Sequence, residues 1–523
     1  MMGRGMAGGR ARMVGEVPAP QSLSDQVSRG AALAGAGFVL SRGLTFVSYF
    51  VIAQLIVPKD AGEYVAATAV VGMGFVFSES GMLAALIHWP GDVDRAMSTA
   101  TLSSLITGVA LSGAAVGVAP AVGWYFQSAE IGSIAAAASG LLLLNALAVV
   151  PDALLQRRFS FVRRVVVDPL GSVAFATVAI VCCASGLGAW GLLAGTYARF
   201  VAQVVASWAF VGWRPRRRLI SFAIWRQLAS YARHVVASEV VRRSGAQLDS
   251  LLLGRFGGTA LLGEYGYGFR FAATAADAWT SVGSYVLLPV FARIATDLPR
   301  FRRAFHASLN VMLVVSVPVV VLLLMAGKQI ALASYGPRWA ASGLAIQALA
   351  ALVIGHGLVS VSSEAFKAAG RPQLLTRTHF VGLASAAILL PTLLWALPDL
   401  VGVAAAVAAA SVVTGLYALV QASRVVGVHL REIGRDAAGV AAAGAISIAA
   451  LWLAETTLFV HSHDRLQAAL QVGEKLAIVA VVYTTALRFL AHPQLKRVID
   501  ATRRLRSPND SAPEDITSIR DVA

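Results

Sequence analysis

Charge is what this sequence has least of. Only 13% of its 523 residues are Asp, Glu, Lys or Arg, against about 25% in soluble globular domains. With a mean hydropathy of +0.70, that shortage excludes a soluble enzyme held by a single anchor. Cysteine is nearly absent. Cys182 and Cys183 are adjacent and lie inside an apolar run; they form neither a metal-ligand spacing nor a redox motif and read as small core side chains. No GxxxxGK[ST] phosphate loop occurs, which argues against ATP hydrolysis by this chain. No Ser-His-Asp or metal-ligand constellation stands out, so no catalytic residue, metal site or cofactor is expected. No signal-peptide cleavage pattern precedes the first apolar run.

What the sequence does have is apolar runs of helix length. The hydrocarbon core is about 30 Å thick, and a helix rising 1.5 Å per residue needs about 20 apolar residues to cross it. Fourteen such spans can be laid out: 31–56, 62–88, 98–123, 131–150, 165–184, 187–211, 228–253, 260–290, 305–332, 340–369, 374–397, 400–426, 436–456 and 470–490. The expectation is an all-α polytopic membrane protein. The net charge of +16 would suggest nucleic acid on a soluble protein. Here it reads as topology, with no nucleic-acid partner. With both termini in the cytoplasm, most of the 43 Lys and Arg fall on the inner side, and Lys59, Arg255, Lys328, Arg338 and Arg465 fall on the outer side. That asymmetry is the positive-inside pattern. The longest outer loop, between the last two spans, leaves no room for a catalytic domain.

A weak internal repeat organises the spans. Gly-Glu-Tyr opens the second span at 62–64 and the eighth at 263–265, each after an apolar helix and a short outer turn. Paired repeats with a substrate path between them are common in transporters. The expected parts are a cytoplasmic tail (1–30), a six-helix lobe (31–211), a basic linker (212–227), a second six-helix lobe (228–426), two appended helices (427–490) and a C-terminal tail (491–523). Two inner segments, 154–166 and 214–228, mix arginines with Phe and Trp and read as anchors in the headgroup layer, giving membrane lipid as a partner.

Ionisable groups at bilayer depth cost roughly 2.5–3.5 kcal/mol each on insertion scales, so they face a bundle interior or a wet cavity. In "SEVVRRSGAQLDSLLLGRF" (238–256), Glu239, Arg242, Arg243 and Asp249 share one face of a helix. Arg42, Thr45 and Tyr49 share a face of the first span, Arg270, Thr274 and Asp277 one of the eighth. In the tenth, His356, Ser360, Ser363, Glu364 and Lys367 form a stripe. Two readings stand side by side. One is a network of ion pairs, such as Glu239 with Arg242 or Arg243. The other is an anion-binding cavity, because arginine's planar fork binds phosphate bidentately and stays charged. Glu79, Glu239, Asp249, Asp277 and Glu364 are candidates for ion coupling or for ion pairing.

The order of motifs resembles polysaccharide transporters of the oligosaccharide flippase type, within the multidrug/oligosaccharidyl-lipid/polysaccharide exporter superfamily. The matching pieces are "SRGLTFVSYFVIAQLIVPKDAGEYVAATAVVGM" (41–73), "PDALLQRRFSFVRR" (151–164), "RRSGAQLDSLLLGRFGGTALLGEYGYGFR" (242–270), "LLPVFARI" (287–294), "GPRW" (336–339) and "AAGRPQLLTR" (368–377). The resemblance implies a V-shaped pair of pseudo-symmetric six-helix lobes working by alternating access in the cytoplasmic (inner) membrane. It implies a cavity lined by the first, second, seventh and eighth helices. The substrate would be an undecaprenyl pyrophosphate-linked oligosaccharide for exopolysaccharide or lipopolysaccharide biosynthesis, with a polysaccharide polymerase and a chain-length regulator as partners. Arg42, Tyr49, Arg242, Arg243, Arg255 and Arg270 would bind it, driven by a proton gradient, a sodium gradient or the membrane potential. A cation-coupled drug exporter of the same superfamily is the alternative, but it would favour an acidic, aromatic cavity. A glycan polymerase or ligase would normally carry a long outer loop.

Overall fold

The computed structural model describes residues 23–77, 81–87, 89–157, 163–245, 247–397, 399–457 and 464–491. The side chains of residues 23–36, 38, 39, 70, 163, 164, 234, 235, 237, 238, 241, 242, 282, 284 and 285 lie outside the description. The expected tails at 1–22 and 492–523, most of the basic-aromatic segment 157–164, Glu79 and the Arg242 side chain are therefore not described.

Helices stand at each of the fourteen expected positions: α1 Leu23–Leu55, α2 Pro58–Phe75 continued by Gly81–Ile87, α3 Val93–Tyr125, α4 Ala129–Ala138 with Gly140–Arg157, α5 Asp168–Ala184, α6 Gly188–Val211, α7 Phe222–Gly245 with Leu248–Phe256, α8 Gly258–Val282 with Leu288–Ile294, α9 Leu298–Tyr335, α10 Ala340–Ala348 with Leu352–Ala368, α11 Gln373–Ala396, α12 Leu400–Val426, α13 Leu430–Thr457 and α14 Arg465–Leu490. The few acidic residues often sit at helix starts, where a carboxylate accepts from an unpaired backbone N–H. Asp92 caps α3 through Arg95 N at 3.1 Å, and Asp399 caps α12 through Gly402 N at 3.0 Å.

By length and composition, eight of these helices can cross a bilayer: α3, α4, α5, α9, α11, α12, α13 and α14. The two parts of α10, bent by 46°, make a ninth. Fourteen crossings is thus more than hydropathy alone supports among the described residues. Of the rest, α6, α7 and α8 fall short, while the described side chains cover only part of the apolar runs of α1 and α2. Two of these three, α7 and α8, are among those expected around the cavity, and a helix with a polar face dilutes its own hydropathy. Outward-facing apolar groups such as Trp395, Phe489, Trp124 and Phe222 are among the most exposed large side chains, as in a protein whose surroundings are lipid.

Helices α1–α6 pack on one another, as do α7–α12, and the α13–α14 pair packs along α9. The two groups meet most closely where α2 crosses α8. A β-carbon on Gly62 would overlap the Thr259 carbonyl oxygen, and one on Gly263 would overlap that of Pro58. Each glycine thus faces the backbone four residues before the other. The two Gly-Glu-Tyr triplets meet face to face, related by the pseudo-symmetry that their repetition suggests. At the same end, Trp339 donates its indole N–H to the Ala53 carbonyl at 2.9 Å, and Gln54 Nε2 donates to the Ser334 carbonyl at 3.2 Å. At the opposite end the lobes touch again where Gly81 of α2 lies against Ala232 of α7.

Candidate functional site between the lobes

Two contacts cross between α1 and α8, two helical turns apart. In the first, Arg42 Nη1 lies 3.9 Å from Asp277 Oδ2, and the two side chains are 62% and 44% exposed. In the second, the Arg270 guanidinium carbon sits 3.8 Å from the centre of the Tyr49 ring and 5.4 Å from that of Tyr267. Arg42 precedes Tyr49 by seven residues and Asp277 follows Arg270 by seven, about 10 Å at the α-helical rise, so the antiparallel helices bring both pairs into register. The first pair balances its charges. The second does not. Among the described residues no carboxylate lies within ion-pair distance of Arg270; its near neighbours are rings.

Those rings form a plug. Tyr267, with its buried side chain, meets Tyr335 edge-on with centroids 5.0 Å apart and Trp339 at 4.1 Å. Tyr49 packs on Phe175 at 5.6 Å, and Phe50 on Tyr335 at 5.6 Å. Aromatic faces hold a guanidinium by their quadrupole while leaving its N–H groups free to donate. Arg270 is thereby fixed in place as a donor fork without an anion.

The other expected residues divide. Thr45 turns from Arg42 into its own lobe, donating to the Ser41 carbonyl at 2.9 Å and to Ser172 Oγ at 3.2 Å. It is packing glue between α1 and α5. Arg243 Nε donates to Glu239 Oε1 at 3.0 Å, one turn away on α7, the ion-pair reading for these two. Asp249 stands on a second helical piece, which begins at Leu248 after the first ends at Gly245, so it is described by its own contacts. Asp249 is buried, accepts from the Ser250 N–H at 2.6 Å and takes the Tyr265 hydroxyl of α8. Buried Glu364 accepts from Lys367 Nζ at 2.8 Å, beside Ser360, which donates to the Trp279 carbonyl at 2.7 Å. Arg255 lies away from these contacts, 5.9 Å from the Tyr125 ring centre, at a groove on the flank of α3 and α4. Next to last on α7, it stands at the bundle's end against Tyr125 of the other lobe, away from Arg42 and Arg270.

Two features had no counterpart in the sequence reading. Lys475 of α14 is fully buried and donates to the Met325 carbonyl of α9 at 2.6 Å and to Glu455 of α13 at 3.1 Å. A lysine inside an apolar span was the available signal. Arg465, at the start of α14, donates to Gln54 of α1 and to the Tyr335 carbonyl of α9, the latter at 3.2 Å. It touches both lobes at once, and nothing in its sequence neighbourhood indicates that.

A family profile described as polysaccharide biosynthesis protein matches residues 51–343. The chain belongs to that family. Across this polysaccharide biosynthesis protein's length, the succinoglycan biosynthesis transport protein ExoT of Rhizobium meliloti (strain 1021) is 23% identical over 485 residues, 88% of this chain and 92% of that protein. The teichuronic acid biosynthesis protein TuaB of Bacillus subtilis (strain 168) is 22% identical over 305 residues, 57% and 62% of the two chains. Among solved structures, the lipid II flippase MurJ in an inward closed conformation superposes with a TM-score of 0.72 at 14% identity, covering 89% of this chain and all of that one. An inward-facing MATE multidrug resistance transporter of the MOP superfamily gives 0.54 at 15%, covering 76% and 94%. The family member described here therefore has the fold of a MOP-superfamily transporter. Its apolar helices make it a multi-pass membrane protein.

Proposed function

We propose that the protein flips a lipid-linked oligosaccharide, carried on undecaprenyl pyrophosphate, across the cytoplasmic membrane for exopolysaccharide or lipopolysaccharide assembly. The observation that carries this reading is Arg270, held on Tyr49 of the opposite lobe with no carboxylate beside it. A diphosphate headgroup offers the bidentate acceptor that such a fork matches. Arg42 would meet it first. Its pair with Asp277 is long and solvated, and pairs of that kind contribute about 0–1 kcal/mol, so an incoming phosphate displaces Asp277 at little cost. The headgroup then passes two turns along to Arg270. The sugar trails between the lobes, and the isoprenoid stays in lipid. Parting of the lobes at the Gly62–Gly263 crossing, with closure at the other end, completes alternating access. Both termini lie in the cytoplasm, and a polymerase takes the product on the far side.

The test replaces Arg270 singly by Ala and by Lys in the host, at matched membrane protein levels. Surface polysaccharide and inner-leaflet lipid-linked oligosaccharide are then quantified. Loss of one bidentate pair predicts at least a tenfold drop in polymer with accumulation of the intermediate. Lys restores only part of the flux, since an ammonium lacks the fork. Unchanged polymer in a complete deletion, together with reduced efflux of a cationic dye, would establish drug export instead.

A further inference from the structure

The groove beside Arg255 is separate from the Arg42–Asp277 and Arg270–Tyr49 contacts. It has a volume of about 810 Å³, within the ~300–1,000 Å³ range of small-molecule sites. Ala119 and Gly123 of α3 and Gly132 and Ala136 of α4 line it. Gly123 and Gly132 pack against each other's backbone, which draws the two helix ends together and leaves a trough beside them. Trp124, 79% exposed, stands on its edge. Arg255 closes the end at the bundle face where α3 ends, opposite the described chain ends. Its guanidinium lies near one face of Tyr125, and among the described residues it has no carboxylate partner.

Apolar troughs facing lipid take hydrocarbon. A cation at the last turn of a helix stands at headgroup depth. A side-exposed tryptophan marks the same boundary layer. The combination is complementary to one kind of molecule, an acyl chain with an anionic phosphate at its end. We infer that this groove is a binding site for an anionic phospholipid: one acyl chain lies along α3 and α4, and the phosphate sits on Arg255. Occupancy does not depend on what crosses between the lobes. It fastens the outer halves of α3 and α4 to the end of α7, across the two lobes.

The experiment is native mass spectrometry of the delipidated full-length protein, titrated with dioleoyl phosphatidylglycerol and, separately, with dioleoylglycerol, which has the chains without the phosphate. Wild type should hold phosphatidylglycerol about tenfold more tightly than dioleoylglycerol, the size of one charge-assisted hydrogen bond. Arg255→Gln should lose that preference, and Arg255→Lys should keep most of it. Ser133→Phe, placed at an exposed position on the groove wall, should weaken both lipids. Equal retention of phosphatidylglycerol by wild type, Arg255→Gln and Ser133→Phe would overturn the proposal. So would equal binding of the two lipids by wild type, a comparison that needs no variant to fold.

Discussion

At the residue scale, the meaning of an intramembrane charge depends on what it faces. Asp249 is an acceptor for a buried tyrosine, and Arg270 is a donor without an anion, though both stood out in the sequence for the same reason. Asp249→Ala leaves the Tyr265 hydroxyl buried without its acceptor, a loss of about 1–3 kcal/mol. The purified variant should melt several degrees lower, with polysaccharide output falling only as far as protein abundance falls. Asp249→Asn keeps an acceptor oxygen and should melt closer to wild type. Arg270 and Tyr49 were legible as site candidates because each sits mid-span on a polar face. Their contact was not legible, since a face says nothing of which helix it meets. The count that put Asp249 on the face of Glu239 ran through "RRSGAQLD" as one helix, whereas two helical pieces end at Gly245 and begin at Leu248. Arg255 was matched by motif at the outer end of α7, and it stands near that end, beside Tyr125.

At the scale of elements, the repeat was readable as two copies of three letters. That the copies touch is a fact of packing. Adding a methyl at either crossing glycine drives a β-carbon into a carbonyl of the facing helix. Overpacking of this kind costs about 1–3 kcal/mol, and it falls on the state in which α2 and α8 are joined. Gly62→Ala and Gly263→Ala should each widen the lobe separation at that end, read as longer distances between spin labels at Lys59 and Arg338 in a cysteine-free background. Gly113→Ala on α3, where an added β-carbon meets nothing within 4 Å, should leave the distances as they are. The breaks in α4, α7 and α10 were read as continuous spans. Hydropathy averages over a window and does not register a local loss of helical hydrogen bonding.

At the scale of the whole molecule, α13 and α14 are more than an appendix. Lys475 ties them to α9 in the bundle interior, and Arg465 ties them to the junction of the lobes through Gln54 and Tyr335. The pair therefore holds the lobes together at one end. Arg465→Ala should shift the same spin-label distances toward separation without lowering membrane levels, whereas a mere surface contact would leave them unmoved. The all-helical fold and the order of its helices were legible because apolar runs and basic loops alternate. The division between helices that satisfy lipid and those that do not was hidden until their neighbours were known. That division has a consequence for how the chain is made. A ribosome delivers α7 and α8 in succession, and neither is apolar enough to settle alone in hydrocarbon. They must wait at the insertion machinery for α9 before their polar faces are covered. The polarity that opens a passage in the finished protein thus dictates an order of assembly in the nascent one.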